Sequence, residues 1–263
     1  MERILHCSHS KGQYIKYGFT LVELSIVLVI IGLVIGGIVF GRDMIRMSEI
    51  RATIVQVEQF KAASNAFKLK YNCIAGDCAN ATSFLSGTAD GNGNKIIDGG
   101  AARYNDTESN LFWQHLALAG FIQGSYTPTI SGATYQADIN FPSSKLGGGF
   151  GAWNLQAYAG GGLVGSGKLF PAQYGNNFLL GTPWTDSSAR MPLRPVMSGF
   201  DARRIDGKYD DGLPAYGSIV TWENTSGYSF SCASTDVAST AVYNDTTNYS
   251  TSIKCGLFFL NAF

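Results

Sequence analysis

Between positions 24 and 40 the chain reads LSIVLVIIGLVIGGIVF, with Ser25 as its only polar side chain and no charge. With its flank from Phe19, and closed at Gly41, the stretch is 23 residues long. As a helix that is about 35 Å, enough to cross a hydrocarbon core of ~30 Å. A buried helix of a soluble domain seldom runs so far without a polar face. The stretch therefore reads as a membrane span. Arg3, Lys11 and Lys16 precede it against Glu2, a basic bias that keeps the N-terminus cytoplasmic and sends the C-terminal bulk outside. Beyond Phe40 come Gly41, Arg42, Asp43 and Met44. No small-residue cleavage site of a secretory signal follows, so the span is expected to be retained.

The remaining composition narrows the function. Nineteen basic and nineteen acidic residues balance in a chain of 263, and aromatics reach 13%. That is too apolar for a disordered chain and too balanced for an electrostatic nucleic-acid binder. Only His6, His9 and His115 are present, so nucleophilic or metal chemistry built on several histidines has almost no material. Cys7 precedes the span, while Cys73, Cys78, Cys232 and Cys255 follow it. Four cysteines on the outer side suggest two disulfides in an oxidising compartment. Three pairings are open, and proximity favours Cys73 with Cys78 and Cys232 with Cys255. A four-cysteine zinc site is the competitor, although neither spacing is the C-x2-C of a zinc ribbon.

Immediately before the span the chain reads Lys16-Tyr17-Gly18-Phe19-Thr20-Leu21-Val22-Glu23-Leu24. This resembles the processing motif of type IV pilins and of the pseudopilins of type II secretion. The resemblance implies a prepilin, cut by a membrane-embedded prepilin peptidase after Gly18, with Phe19 N-methylated as the mature terminus. It also implies that Glu23 of one subunit neutralises the terminal amine of its neighbour during filament assembly. Tyr17 separates Lys16 from Gly18, and an 18-residue leader is long for the family; neither touches the cut-site residues. A carboxylate at the head of an apolar helix is costly unless partnered, by up to ~3 kcal/mol on insertion scales. The simpler role for Glu23 is to support the helix N-terminus.

The expected organisation is a leader over residues 1–18, a transmembrane half-helix over 19–41, an amphipathic half over 42–71, and a globular head over 72–263. Met47, Ile50, Ile54, Val57, Phe60, Ala63, Phe67 and Tyr71 recur at spacings of three and four, a stripe that can dock on the head. The fold class expected is α+β, the long helix packed on a mixed, mainly antiparallel sheet. A capped helix is expected from Thr107 to the stop at Gly120. Strands are expected within 130–141, 217–224, 228–234 and 251–260. The glycine-rich stretch 147–167 reads chiefly as loops.

Two acidic motifs stand in the head. Asp90, Asn92, Asn94, the Ile96 carbonyl and Asp98 follow the spacing of a calcium loop, with Asp106 or Glu108 as a further carboxylate. Lys95 occupies the usual glycine position, and Ala101 the usual glutamate. A calcium site and a plain Asn/Gly turn cluster both remain open. The second motif runs from Asp201 through Asp206, Asp210 and Asp211 to Gly217 and resembles a turn recurring in pilin-like heads. It reads as structural, since Arg203, Arg204 and Lys208 offer salt partners and no nucleophile accompanies it. His115 reads as a packed or surface residue.

The resemblance implies a structural subunit without enzymatic activity. Its partners would be other pilin or pseudopilin subunits, the inner-membrane assembly platform and membrane lipid. At about 245 mature residues it leans towards a minor or specialised subunit. The alternative is a filament-borne adhesin whose head binds a glycan, on a platform such as Trp153, Tyr158 and Trp184. DNA is disfavoured, because the mature chain has 16 basic and 18 acidic residues.

Overall fold

The computed structural model describes residues 18–98, 107–129, 135–154, 175–183, 192–221, 232–244 and 255–263. They fall into two compact units, divided between Arg46 and Met47. The first α-helix, α1, runs Leu21–Tyr71 over 51 residues. No proline interrupts it, and Asn72 stops it by taking up a left-handed φ of 57°, as a C-terminal asparagine commonly does. In the N-terminal unit the apolar side chains point outward, from Leu21 to Phe40. Ser25 returns its hydroxyl to the Val22 carbonyl at 2.8 Å, which leaves no unpaired donor in the apolar stretch.

In the second unit the α1 stripe enters the core. Ile50, Val57, Phe60, Ala63 and Phe67 are buried, and Met47, Ile54 and Tyr71 pack half-buried against them. Around this stripe lie α2 (Thr107–Leu118), β1 (Gly149–Asn154), β2 (Asn176–Gly181), α3 (Gly199–Tyr209), β3 (Ile219–Val220) and β4 (Leu257–Phe259). The strands form one four-stranded sheet, ordered β1-β2-β4-β3, with every neighbouring pair antiparallel. This is the expected α+β architecture, its described strands antiparallel throughout.

Phe60 holds the layers together. Its ring meets Trp113 of α2 at 5.0 Å, Phe150 of β1 at 5.2 Å and Phe178 of β2 at 6.2 Å, each edge-on. Edge-to-face pairs add roughly 0.5–1.5 kcal/mol beyond the area they bury. On the opposite side Tyr209 of α3 donates its hydroxyl to Glu58 and receives Lys61, whose ammonium also lies 4.8 Å from the Tyr209 ring centroid. Two disulfides, Cys73–Cys78 and Cys232–Cys255, staple the segment after α1 and bind Cys232 to the strand β4 region.

The strands depart from expectation in informative places. Among the described residues of 130–141 there is a turn and an isolated bridge but no strand. Among the described residues, the stretch 217–224 yields Ile219–Val220 and 251–260 yields Leu257–Phe259. Of 228–234, the described part contributes a single bridge from Ala233 to Tyr243. Conversely, β1 opens inside the stretch expected as loops. Its glycines mark close approach rather than looseness: a Cβ on Gly149 would lie 2.4 Å from the Phe141 ring, and only glycine leaves room for that ring.

Truncating the aromatic hub is the sharpest test of this packing. Phe60→Ala removes three inter-layer ring contacts and should destabilise the head by about 3–5 kcal/mol. Urea unfolding of the full chain in detergent, followed by tryptophan fluorescence, measures it; a loss below about 1 kcal/mol would contradict Phe60 as the hub.

Candidate functional site

At the N-terminal end Gly18, Phe19 and Thr20 precede the first helical turn, and Phe19 is 84% exposed. Thr20 and Glu23 form a reciprocal cap. The Thr20 hydroxyl accepts the Glu23 N–H at 3.2 Å, while Glu23 Oε2 accepts both the Thr20 N–H at 2.9 Å and its hydroxyl at 2.8 Å. The spacing T-x-x-E is that of a capping box, which satisfies donors the helix start leaves open. Gly18 has a different standing. No described atom lies within 4 Å of where its Cβ would sit, and its φ is not left-handed. Among the described residues, nothing requires a glycine there.

The second site gathers around the turn 91–98. Asp77, between the two cysteines of the first disulfide, accepts the N–H groups of Asn94 at 3.0 Å and Lys95 at 2.7 Å. Glu108, in the first turn of α2, accepts those of Asn92 at 2.9 Å and Asp98 at 2.8 Å. Asp98 in turn accepts the side-chain amides of Asn92 and Asn94. Burial raises the Asp77 and Glu108 carboxyls above their ordinary range, partly offset by these N–H donors and reinforced by mutual repulsion with Asp98. The turn is pressed close to the disulfide: a Cβ on Gly91 would lie 2.4 Å from the Asp77 carbonyl carbon.

Of the residues expected as cation ligands, the structure brings together Asn92, Asn94, Asp98 and Glu108. Asp90 goes elsewhere, accepting the Thr82 N–H at 2.8 Å and the Thr82 hydroxyl at 3.0 Å. For Ile96 the N–H donates to Asn94 Oδ1 at 2.8 Å. Asp106 lies outside the described residues. Asp77 was not legible as a member; its one signal was an acidic residue in the Gly76-Asp77-Cys78 turn. The assembled donors are all oxygens, the type a hard cation takes.

His115 anchors this region from α2. Its Nδ1 accepts the Gly76 N–H at 2.9 Å, which leaves Nε2 to donate to the Ala89 carbonyl at 3.1 Å. The ring is fully buried and stacks on Phe67 at 6.1 Å. Burial lowers its pKa against the opposing effects of Ala89 and Asp90. In the Asp201–Gly217 motif, Ser198 caps α3 by accepting the Asp201 N–H at 3.1 Å. Asp210 accepts the Ser218 N–H and the Ile219 N–H. These are the contacts of a structural turn. Trp153 is 2% exposed and offers no face to a sugar; Tyr158 and Trp184 lie outside the described residues.

Compared with known families, residues 15–39 match the prokaryotic N-terminal methylation motif. The chain carries the type IV pilin and pseudopilin signature. No curated protein and no solved structure matches it. In this pilin-like chain the match spans Gly18, Phe19, the capping box and most of the apolar helix. That helix has a mean hydropathy of 2.8 over its most apolar window, none of it buried. It fits a membrane-anchored pilin and not a core helix.

The His115 tether yields a pH test. Its folded pKa lies below the ordinary 6.5, so the unfolded chain binds the proton more readily. The contribution is complete above pH 6.5 and is lost as pH falls towards the folded value, at up to about 1.4 kcal/mol per unit. Urea unfolding at pH 7.5 and 5.5 should show the wild type losing stability relative to His115→Gln as pH falls, the difference between the two slopes isolating the histidine. Equal pH slopes in the two proteins would contradict the tether.

Proposed function

We propose that this chain is a prepilin, cut after Gly18 and assembled through α1 as a minor or specialised subunit of a type IV pilus or a type II secretion pseudopilus. The observation that carries the reading is the methylation motif over residues 15–39, set at the mouth of a helix whose apolar side chains from Leu21 to Phe40 lie exposed. Recognition by a prepilin peptidase gives Gly18 a reason to be glycine that none of the described residues supplies. The basic residues Arg3, Lys11 and Lys16 support a cytoplasmic leader and a periplasmic head on a bacterial inner-membrane anchor. The protein does no chemistry of its own; its head is braced by two disulfides and the Phe60 cluster.

Glu23 has two successive roles in this reading. In the precursor it caps Thr20. After the cut, the Phe19 amine lies one helical turn away, and the same carboxylate is available to the amine of a neighbouring subunit. A pair of that kind adds little net stability but penalises wrong registers, because an unpartnered charge among apolar helices is expensive.

The test is made in producing cells. Mass spectrometry should find the protein beginning at N-methylated Phe19. Gly18→Asp should leave it uncut and at least tenfold depleted from sheared filaments. Glu23→Val should be cut yet fail to enter filaments. Recovery of the wild type still starting at Met1 would overturn the proposal.

For the acidic turn we propose calcium, held by Asp77, Asp98 and Glu108 with the Asn92 and Asn94 carboxamides, and not by Asp90. The cation would supply the positive charge that three mutually repelling carboxylates call for. Titration calorimetry of the full chain in detergent should show calcium heat, lost in Asp98→Ala and kept in Asp90→Ala. Saturation at about a hundred times Kd should add ~2.7 kcal/mol to stability. A wild-type protein with no calcium heat refutes the site.

A further inference from the structure

Asp206 stands near the end of α3 with no exposed surface, and its carboxyl joins three pieces of chain. Oδ2 accepts the Tyr243 hydroxyl at 2.7 Å, and Oδ1 accepts the Gly212 N–H at 3.3 Å. Tyr243 is itself buried and bridges to Ala233 within 232–244, a segment held at Cys232 by the disulfide to Cys255. Gly212 belongs to the turn between α3 and β3. The acidic groups facing Asp206 come from that turn: one oxygen each of Asp206, Asp210 and Asp211 lies within 4.8 Å of the others. From the other side the titratable neighbour is Tyr243. On α3 itself Arg203 and Lys208 are exposed.

A buried carboxyl facing two exposed carboxylates is driven towards its neutral form. Burial, reinforced by Asp211 and Asp210, pushes Asp206 up to about 7, while Tyr243 and Gly212 pull it back down. Burial likewise raises Tyr243 well above its usual range, so the phenol remains a donor throughout.

We propose that Asp206 is a proton-operated latch: as a neutral carboxyl it stays buried beside Asp210 and Asp211 with segment 232–244 and the turn 210–218 closed over it, and its ionisation, which puts a charge in a water-poor site crowded by two carboxylates, loosens both. The two pieces carry Leu213, Tyr216, Val237 and Val242 at the surface, around a small buried cluster of Ala215, Ala233 and Ala241. The latch therefore sets how rigidly these exposed apolar side chains are presented.

The sign follows from linkage. In the closed state the group titrates at about 7 and has an ordinary value of 3.8, which it regains once opened to water. The stabilisation is complete below about pH 4, declines as pH rises, and is gone above about 7. Local opening should thus increase by up to about tenfold per pH unit within that window and level off beyond it.

Hydrogen–deuterium exchange of the full chain in detergent, from pH 5 to 8 and corrected for intrinsic exchange rates, reads this directly. Peptides covering 206–221 and 232–244 should lose protection together up to about pH 7 and then level off. In Asp206→Asn their protection should not vary with pH. Asp211→Asn, an exposed change that keeps the fold whether or not Asp206→Asn does, should move the levelling point to lower pH. Protection in these peptides that is flat with pH in the wild type, or unmoved by Asp211→Asn, would overturn the latch.

Discussion

A four-stranded sheet with strands of six, six, three and two residues cannot close a core by itself. Short antiparallel strands need a packed layer before their ladders become stable. That layer is the second half of α1, whose buried side chains from Ile50 to Phe67 meet both α2 and the sheet. The dependence runs both ways. A helix becomes stable in a protein chiefly through the face it buries, and the α1 stripe buries its face against α2, the sheet and the loops beside them. The polar contacts between helices reinforce the arrangement, with Glu58 and Lys61 of α1 gripping Tyr209 of α3. The head is thus organised about one row of side chains spaced three and four apart.

What was legible in the sequence follows from the same fact. A helical stripe is a local signal, repeated eight times between Met47 and Tyr71, and an apolar run of 23 residues is louder still. Both survive any tertiary context. The strands are illegible for the opposite reason. β1 begins with Gly149 because the Phe141 ring and the Pro142 carbonyl press on that position, a constraint set by a loop folding back on the strand and not by the strand's own pattern. Composition alone makes such glycines look like loop. The acidic turn shows the same division. Its asparagines and Asp98 were readable from spacing, whereas Asp77 arrives through a disulfide turn and Asp90 is taken by the N–H and hydroxyl of Thr82.

The head contains two buried ionisable groups whose responses to protons oppose each other. His115 is neutral because both ring nitrogens are committed, one to an N–H and one to a carbonyl; a second ring proton would have no acceptor at Gly76. Asp206 is driven towards its neutral form by burial, reinforced by the repulsion of Asp211 and Asp210. Acid therefore weakens the attachment of the Cys73–Cys78 turn to α2 while strengthening that of the Cys232–Cys255 segment to α3. The two disulfided regions respond separately, since the two groups lie on different helices and touch different loops. A global stability curve would average the two effects, which is why segment-resolved measurements discriminate where a melting temperature does not.

The N-terminal carboxylate can be understood on the same terms. An ionised side chain on an otherwise apolar helix needs a partner at every stage of its life, or insertion in the membrane becomes costly. In the chain as it stands Glu23 has one, since Thr20 offers it both an N–H and a hydroxyl. Both of those bonds fall on Oε2, and a carboxylate offers two oxygens. In the proposed assembly a neighbour's amine can therefore take up Oε1 while the cap stays in place. A neutral donor there would leave the charge uncompensated. An ammonium would cancel it, and opposite charges attract more strongly among apolar helices than in water. The cap and the proposed pair are thus compatible: Thr20 keeps the anchor partnered on one oxygen, and the other favours a cationic terminus over an ordinary polar group.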